Sequence, residues 1–290
     1  MLATKAQLKK SLFPLANARA MSSFHPSEHK LFMDAKPMRR QHPIYSKRGI
    51  ECIEETHRKP EGFKEKLAKK FINILRGTYD KISGYNEEQM SESKWLTRCI
   101  FLEAVAGVPG MVGGMARHLK SLRTMKPDHG IIHHLLEEAE NERTHLFMFI
   151  QLKEPGIFMR TGVVLTQGIF WNFYFLAYLL SPRFCHSLVG FLEEEAVHTY
   201  TMLLKQLDNG KLQKWSDLRA PQIAIEYYEL DKNATMRDMF LSVRADEAIH
   251  RDVNHRFSEL PSYADYNDEI VRMFDSDKKI FRIETSESKI

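Results

Sequence analysis

Ile131-Ile132-His133-His134-Leu135-Leu136-Glu137-Glu138-Ala139-Glu140-Asn141-Glu142-Arg143-Thr144-His145-Leu146-Phe147-Met148-Phe149 is the stretch from which the rest of the chain is read. Stepping by alternating fours and threes, its apolar seam runs Ile131, Leu135, Glu138, Glu142, His145, Phe149 and Leu152, the period of an amphipathic helix facing a bundle core. A glutamate and a histidine three residues apart on that seam project the same way, so both reach one ion. The last strongly periodic segment repeats the device, with its seam at Met236, Phe240, Val243, Glu247, His250, Asn254 and Phe257.

Glu-x-x-His occurs four times, at Glu54/His57, Glu142/His145, Glu195/His198 and Glu247/His250, so the motif alone selects nothing. Helical phase does. Glu54/His57 sits among Lys, Arg and Pro with no apolar seam and reads as solvated surface. In the segment from 184 to 208 the seam is Val189, Glu193, Ala196, Tyr200, Leu203 and Leu207, which selects Glu193 and leaves His198 on the far side. The segment from 93 to 123 has Leu96, Cys99, Glu103, Ala106, Gly110 and Gly113 in phase, and Glu103 is its only seam carboxylate. Glu103, Glu142, His145, Glu193, Glu247 and His250 therefore face one interior. A lone buried carboxylate reads as a salt bridge or a hydrogen-bonded core residue, because uncompensated burial costs several kcal/mol. Six ligand-type side chains in phase read as a metal centre. Four carboxylates balance two divalent ions, and oxygen and nitrogen ligation without thiolate suits two iron or manganese ions, with iron expected.

His145 and His250 each need an acceptor for the second ring N–H, and Asn141 and Asp246, each beside a ligand glutamate, are the candidates across the helix pair. Glu138 shares the seam and belongs either beside the centre or at the bundle end. Tyr200 lies two turns beyond Glu193 on the same face, as a core phenol or as a redox-active catalytic tyrosine.

Outward from these helices, the whole chain reads as all-α: a ferritin-like four-helix bundle within about six long helices, at 93–123, 128–153, 156–180, 184–208, 219–229 and 235–259. Pro127, Pro155, Pro182 and Pro221 stand at the joints, while Pro109 predicts a kink. Residues 28–92 read as a polar arm, helical mainly over 63–79, residues 93–260 as the bundle and 261–290 as a charged tail. The first 27 residues hold Lys5, Lys9, Lys10 and Arg19 with no acid before Glu28, the pattern of a mitochondrial transit peptide or of a plain basic tail. Cys52, Cys99 and Cys185 are widely spaced, which excludes a Cys-x-x-Cys thiolate site and predicts a reduced compartment. A net charge of +4 from evenly mixed acids and bases points away from nucleic acid and toward an anionic membrane surface. Residues 161–182 carry no Asp, Glu, Lys, Arg or His. That length suffices to cross ~30 Å of hydrocarbon, yet the segment from 93 to 123 has only 13 uncharged residues between Glu103 and Arg117. Two helices lying in one leaflet, rimmed by Arg117, Lys120, Arg123, Lys126, Arg160 and Arg183, account for both better than a true span.

Leu102-Glu103-Ala104, Asn141 to Leu146, Leu192-Glu193-Glu194-Glu195-Ala196 and Arg244 to His250 resemble, in order, the four iron-binding motifs of the mitochondrial alternative oxidase family, and the resemblance extends over roughly residues 45–260. It implies a cyanide-insensitive, non-proton-pumping oxidase that takes electrons from ubiquinol and reduces O2 to water. The protein would act as a homodimer held by one leaflet on the matrix side of the inner membrane of a mitochondrion or related organelle. By matching position it also implies a quinol pocket of Arg98, Leu102, Glu195 and Thr199, with Arg76 and Asp80; Glu195 and Thr199 fall four apart on the flank of their helix, toward lipid. His186 and Tyr227 match family positions, and His186 is placed near the ligand shell. Ala104, Thr144 and Tyr228 depart from the residues usual in the family (Thr, Met and Trp), and none of the three removes a ligand. Two other readings use the same interior: a di-iron monooxygenase such as a quinone hydroxylase, and a ferritin-like iron-binding bundle.

Overall fold

A computed structural model describes His42 and residues 45–259; the transit-peptide and tail readings fall outside the described residues. Among the described residues eight α-helices follow one another: α1 (Lys47–Glu51), α2 (Gly62–Ser83), α3 (Glu92–Thr124), α4 (Ile131–Leu152), α5 (Ile157–Leu180), α6 (Pro182–Asp208), α7 (Gln222–Tyr227) and α8 (Met236–Glu259). No strand forms among the described residues; the nearest approach is an isolated antiparallel bridge between Arg219 and Thr235. The all-α expectation holds. Two lengths differ from the sequence reading. The helix expected over 63–79 continues to Ser83, where Gly84 turns left-handed (φ 63°) and stops it. The helix expected over 219–229 is only six residues long, because Pro221 starts it and Glu229 takes a positive φ just beyond it.

Local chemistry sets the ends. Ser91 and Ser181 accept hydrogen bonds from the backbone N–H of Lys94 and Phe184, capping α3 and α6, and Pro182 occupies the first turn of α6, where its missing N–H costs nothing. Asp238 Oδ2 accepts from Thr235 N at 2.7 Å and from Thr235 Oγ1 at 2.9 Å, closing the start of α8. α3 runs as one helix through Pro109.

The bundle is α3, α4, α6 and α8, packed as two close pairs, α3 with α4 and α6 with α8. Both pairs are antiparallel: Gly107 lies against Glu142 and Gly114 against Leu136, while Gly190 lies against His255 and Asp208 pairs with Arg237. Glycine decides how near α3 and α4 come. A Cβ at Gly110 would stand 2.4 Å from Leu135 O, so the backbones can come this close only with glycine at that position. Two apolar clusters fill the interior. One gathers Trp95, Met148, Phe149, Tyr200, Leu203, Trp215 and Phe240; the other gathers Ile72, Val112, Tyr174, Tyr178, Leu188 and Phe191. Along α3 and α6, Glu103 and Glu193 fall between the stretches that supply these clusters, so the polar centre sits in the middle of the bundle. α2 lies along α6 and α5 crosses against α3.

α3 and α5 are each long and apolar enough to cross a membrane, but α3 is mostly buried in the protein whereas α5 is mostly bare. Phe158, Ile169, Leu176 and Leu180 on α5 are exposed, as are Leu119, Leu122 and Met125 at the end of α3 and Phe63, Ile74 and Ile82 on α2. The basic rim is smaller than the sequence suggested. Arg117 is buried and paired with Asp128, since its position on α3 turns it inward toward the loop before α4. Lys120, Arg123 and Lys126 are exposed.

Candidate metal centre

Each bundle helix delivers its seam carboxylate to one place. Glu103, Glu142, His145 and Glu247 offer ligand atoms within 4.8 Å of one another, and so do Glu142, Glu193, Glu247 and His250; all six residues are buried. The two groups share Glu142 and Glu247. The arrangement could hold two adjacent cations through common carboxylates, with Glu103 and His145 on one side and Glu193 and His250 on the other.

The donor chemistry fits metal ions better than a hydrogen-bonded core. Both oxygens of Glu142, Glu247 Oε1 and His250 Nδ1 are buried and make no hydrogen bond among the described residues. His250 Nδ1 nevertheless stands 2.8 Å from Glu142 Oε1, two acceptor-bearing groups crowded together without a shared proton in line. Burial, and then the charge of Glu247, holds the carboxyls of Glu142 and Glu193 well above the usual range. Burial and the neighbouring Glu103 also raise Glu247. Glu103 is the exception: burial pushes it up, but the His145 hydrogen bond and charge outweigh burial and hold it below the usual value. Carboxylates at this spacing can be ionised together only beside positive charge, the kind that bound metal ions would supply.

Around the ligands, Asp246 is the hub. His145 Nε2 lies 2.9 Å from Asp246 Oδ2, which also accepts from Asn141 Nδ2 and the Tyr228 hydroxyl, each at 2.8 Å. His42 Nε2 lies 2.9 Å from Asp246 Oδ1, and the Tyr45 hydroxyl donates to the same oxygen. Burial would raise the Asp246 carboxyl, but His42 and His145 outweigh it and hold it well below the usual range. Asp246 lies across the helix pair from Glu142 and against His145, the contact expected of it. Asn141 does a different job from the one expected: it donates to Asp246 and to the Tyr227 hydroxyl at 2.8 Å instead of serving His250, because its amide turns toward α7. Glu138 is buried beside the centre, accepting from Asn254 Nδ2 at 2.8 Å, and burial lifts its carboxyl to about 8. His186 reaches the same asparagine, Nδ1 to Asn254 Oδ1 at 3.0 Å, and is linked through it to Glu138. The Tyr200 hydroxyl donates to Glu103 Oε1, with its ring against Phe149 and Phe240. A cavity of about 50 Å³ touches Glu138, Asp246 and His250, room for about one or two waters.

His42, Tyr45, Asn254 and the Tyr228 hydroxyl join the site without a signal of their own in the Glu-x-x-His motifs. Asn254 stood on the α8 seam and was legible there; His42 and Tyr45 lie in non-helical chain about 200 residues from Asp246, where no period exists to place them.

A second polar assembly lies where α2, α3 and α6 meet. Arg98 is buried, with Nη1 2.7 Å from Asp80 Oδ1 and its guanidinium centred 4.0 Å over the Tyr85 ring and 5.0 Å over Tyr79. Arg76 pairs with both Glu195 and Asp80. Thr199 is buried, its hydroxyl donating to Glu195 O at 2.7 Å, and Leu102 and Glu195 are half-buried. Thr199 is thus not open to lipid as the flank position suggested; α2 covers that side of α6.

The sequence model of the alternative oxidase family matches residues 45–259, a span that contains all six ligand-type residues and Asp246 but not His42. The chain belongs to the alternative oxidase family. Among its curated relatives, the mitochondrial alternative oxidase of Emericella nidulans is 48% identical over 248 residues, covering 82% of this chain and 70% of the relative. That of Aspergillus niger is 48% identical over 237 residues, 78% and 68% of the two chains. The Yarrowia lipolytica enzyme is 44% identical over 236 residues, 78% and 67%. Membership makes the chain an oxidoreductase. Tyr228 stands against the centre, its hydroxyl donating to Asp246 Oδ2 at 2.8 Å and lying 2.9 Å from His145 Nε2.

Proposed function

We propose that the protein is a terminal ubiquinol oxidase, passing electrons from ubiquinol to O2 to form water at a di-iron centre without pumping protons. The observation that carries the reading is the pair of buried ligand groups sharing Glu142 and Glu247. Glu103 and His145 would hold one iron, Glu193 and His250 the other. Bound there, iron supplies the one-electron and oxygen chemistry that no side chain provides. The protein's part is positional. Asp246 fixes the ring of His145 through the nitrogen turned away from the centre, and Asn254 and Glu138 brace the other side. The Tyr200 hydroxyl, donating to Glu103, stands ready to release a proton and an electron toward the site. The surrounding apolar clusters exclude bulk water.

For the reductant, Arg98, Leu102, Glu195 and Thr199, with Arg76 and Asp80, are the proposed quinol pocket. Its supports are the family resemblance and the two ion pairs that gather α2, α3 and α6. A guanidinium can donate to a quinol oxygen while the carboxylate it pairs with accepts the hydroxyl proton. The bare apolar residues of α5, with those of α2 and the end of α3, support a protein sunk into one leaflet, from which a lipid-soluble quinol enters. A mitochondrial location follows the names of the relatives, while the matrix face of the inner membrane and assembly as a homodimer are carried by the family resemblance alone.

Oxygen uptake by iron-loaded protein in lipid, driven by ubiquinol in the presence of cyanide, tests the reading. Failure to consume oxygen rejects it. With isotopic O2, label appearing in water agrees with an oxidase, and label in an organic product assigns a monooxygenase.

A further inference from the structure

The histidines of the two Glu-x-x-His motifs that fall outside the bundle core meet on its flank. His57 lies in the extended segment between α1 and α2, and His198 on the outer face of α6; with Glu55 they bring one ligand atom each to within 4.8 Å of one another. The two imidazole centroids are 6.3 Å apart, and His198 Nδ1 is 2.6 Å from Glu55 Oε2. We infer that Glu55, His57 and His198 form a surface site for a divalent transition ion of the zinc or copper class, which staples the segment before α2 onto α6.

The donor set points to this class of ion. Two imidazoles and one carboxylate are borderline nitrogen and oxygen ligands, the type that selects zinc or copper over magnesium or calcium, and three protein ligands leave a position for water. The competing occupants are weak. Lys205 Nζ is 3.2 Å from Glu55 Oε1 and Glu87 Oε1 is 3.3 Å from His198 Nε2, but Lys205 and Glu87 are both more than half exposed, and such surface pairs are worth ~0–1 kcal/mol. Arg76 Nη2 lies 3.8 Å from Glu87, and Glu194 Oε2 lies 3.8 Å from His57 Nδ1, close enough to bias the orientation of that ring. The bland alternative is a set of surface ion pairs. What distinguishes a site from such a set is that both histidines, from segments 141 residues apart, converge on the same carboxylate. None of the three residues takes part in the iron ligand groups or in the proposed quinol pocket.

Full-length, iron-loaded protein titrated with Cu2+ and followed by electron paramagnetic resonance tests the inference, with Zn2+ binding measured in parallel by calorimetry. The expected result is one ion per chain beyond the iron, a copper signal split by two nitrogens, and slower proteolysis between residues 53 and 61 when Zn2+ is present. His57→Ala and His198→Ala should each lower the affinity by about tenfold or more with iron content unchanged, since even an outer partner's loss costs about that much. His57 is 55% exposed, so its substitution leaves the fold intact even if that of His198 does not. Undiminished affinity and an unchanged copper signal in His57→Ala, or no ion bound beyond the iron, would overturn the assignment.

Discussion

His145 on α4 and Asp246 on α8 join the two helix pairs of the bundle through a 2.9 Å contact from Nε2 to Oδ2, on the side of the ring turned away from Glu103 and Glu247. The carboxylate thereby fixes which nitrogen faces the centre. Asp246→Asn should lower iron affinity or quinol oxidation by about 10–100-fold, the usual cost of losing such a partner. Iron content and oxygen uptake check it, with Tyr45→Phe expected to cost less because four other groups remain on Asp246.

The close crossing of α3 on α4 makes a packing prediction. Gly110→Ala puts a methyl group 2.4 Å from Leu135 O, where backbone has to move, and should destabilise by about 1–3 kcal/mol. Gly77→Ala, with nothing within 4 Å in the middle of α2, should instead stabilise by up to about 1 kcal/mol. Thermal unfolding of the two variants followed by circular dichroism should move in opposite directions.

Glu138 predicts a pH dependence. Burial raises its carboxyl from the usual 4.5 to about 8 in the folded protein, so between these values the unfolded chain has lost a proton that the folded one keeps. Folding then binds a proton, and stability falls as pH rises, by about 1.4 kcal/mol per pH unit, levelling off above the folded value. Glu138→Gln removes this contribution while keeping an acceptor for Asn254. Its denaturation midpoint should match the parent near pH 4.5 and exceed it increasingly up to pH 8; parallel curves across that window would contradict the assignment.

Tyr200→Phe separates packing from chemistry. The ring contacts with Phe149 and Phe240 survive, and only the hydroxyl that donates to Glu103 is removed. Iron content and melting should stay near the parent while quinol-driven oxygen reduction falls by about tenfold or more, within the range for a proton-transferring group. Normal turnover with intact iron would reduce Tyr200 to a core residue.

The relation between sequence and structure is plainest at three places. The seams of α3, α4, α6 and α8 were legible because a buried helical face imposes a period, and a glutamate that keeps this period must point inward. The same period puts His198 on the far side of α6, but a period within one helix carries nothing about Glu55 and His57, which it meets there. Arg117 misled for the opposite reason: a basic residue beside an apolar run reads as a headgroup contact until Asp128, arriving from the next loop, buries it.

Helical fold class, the inward direction of the six ligand-type residues and their family resemblance were therefore contained in the chain itself, since each depends on spacing within one helix or on short motifs. Which carboxylates are shared, that Asp246 rather than Asn141 serves a histidine, and that His42 and Tyr45 reach across to it were decided only by the packing of helices against one another. Side chains about 100 to 200 residues apart meet through three-dimensional closure, and no local period records that closure.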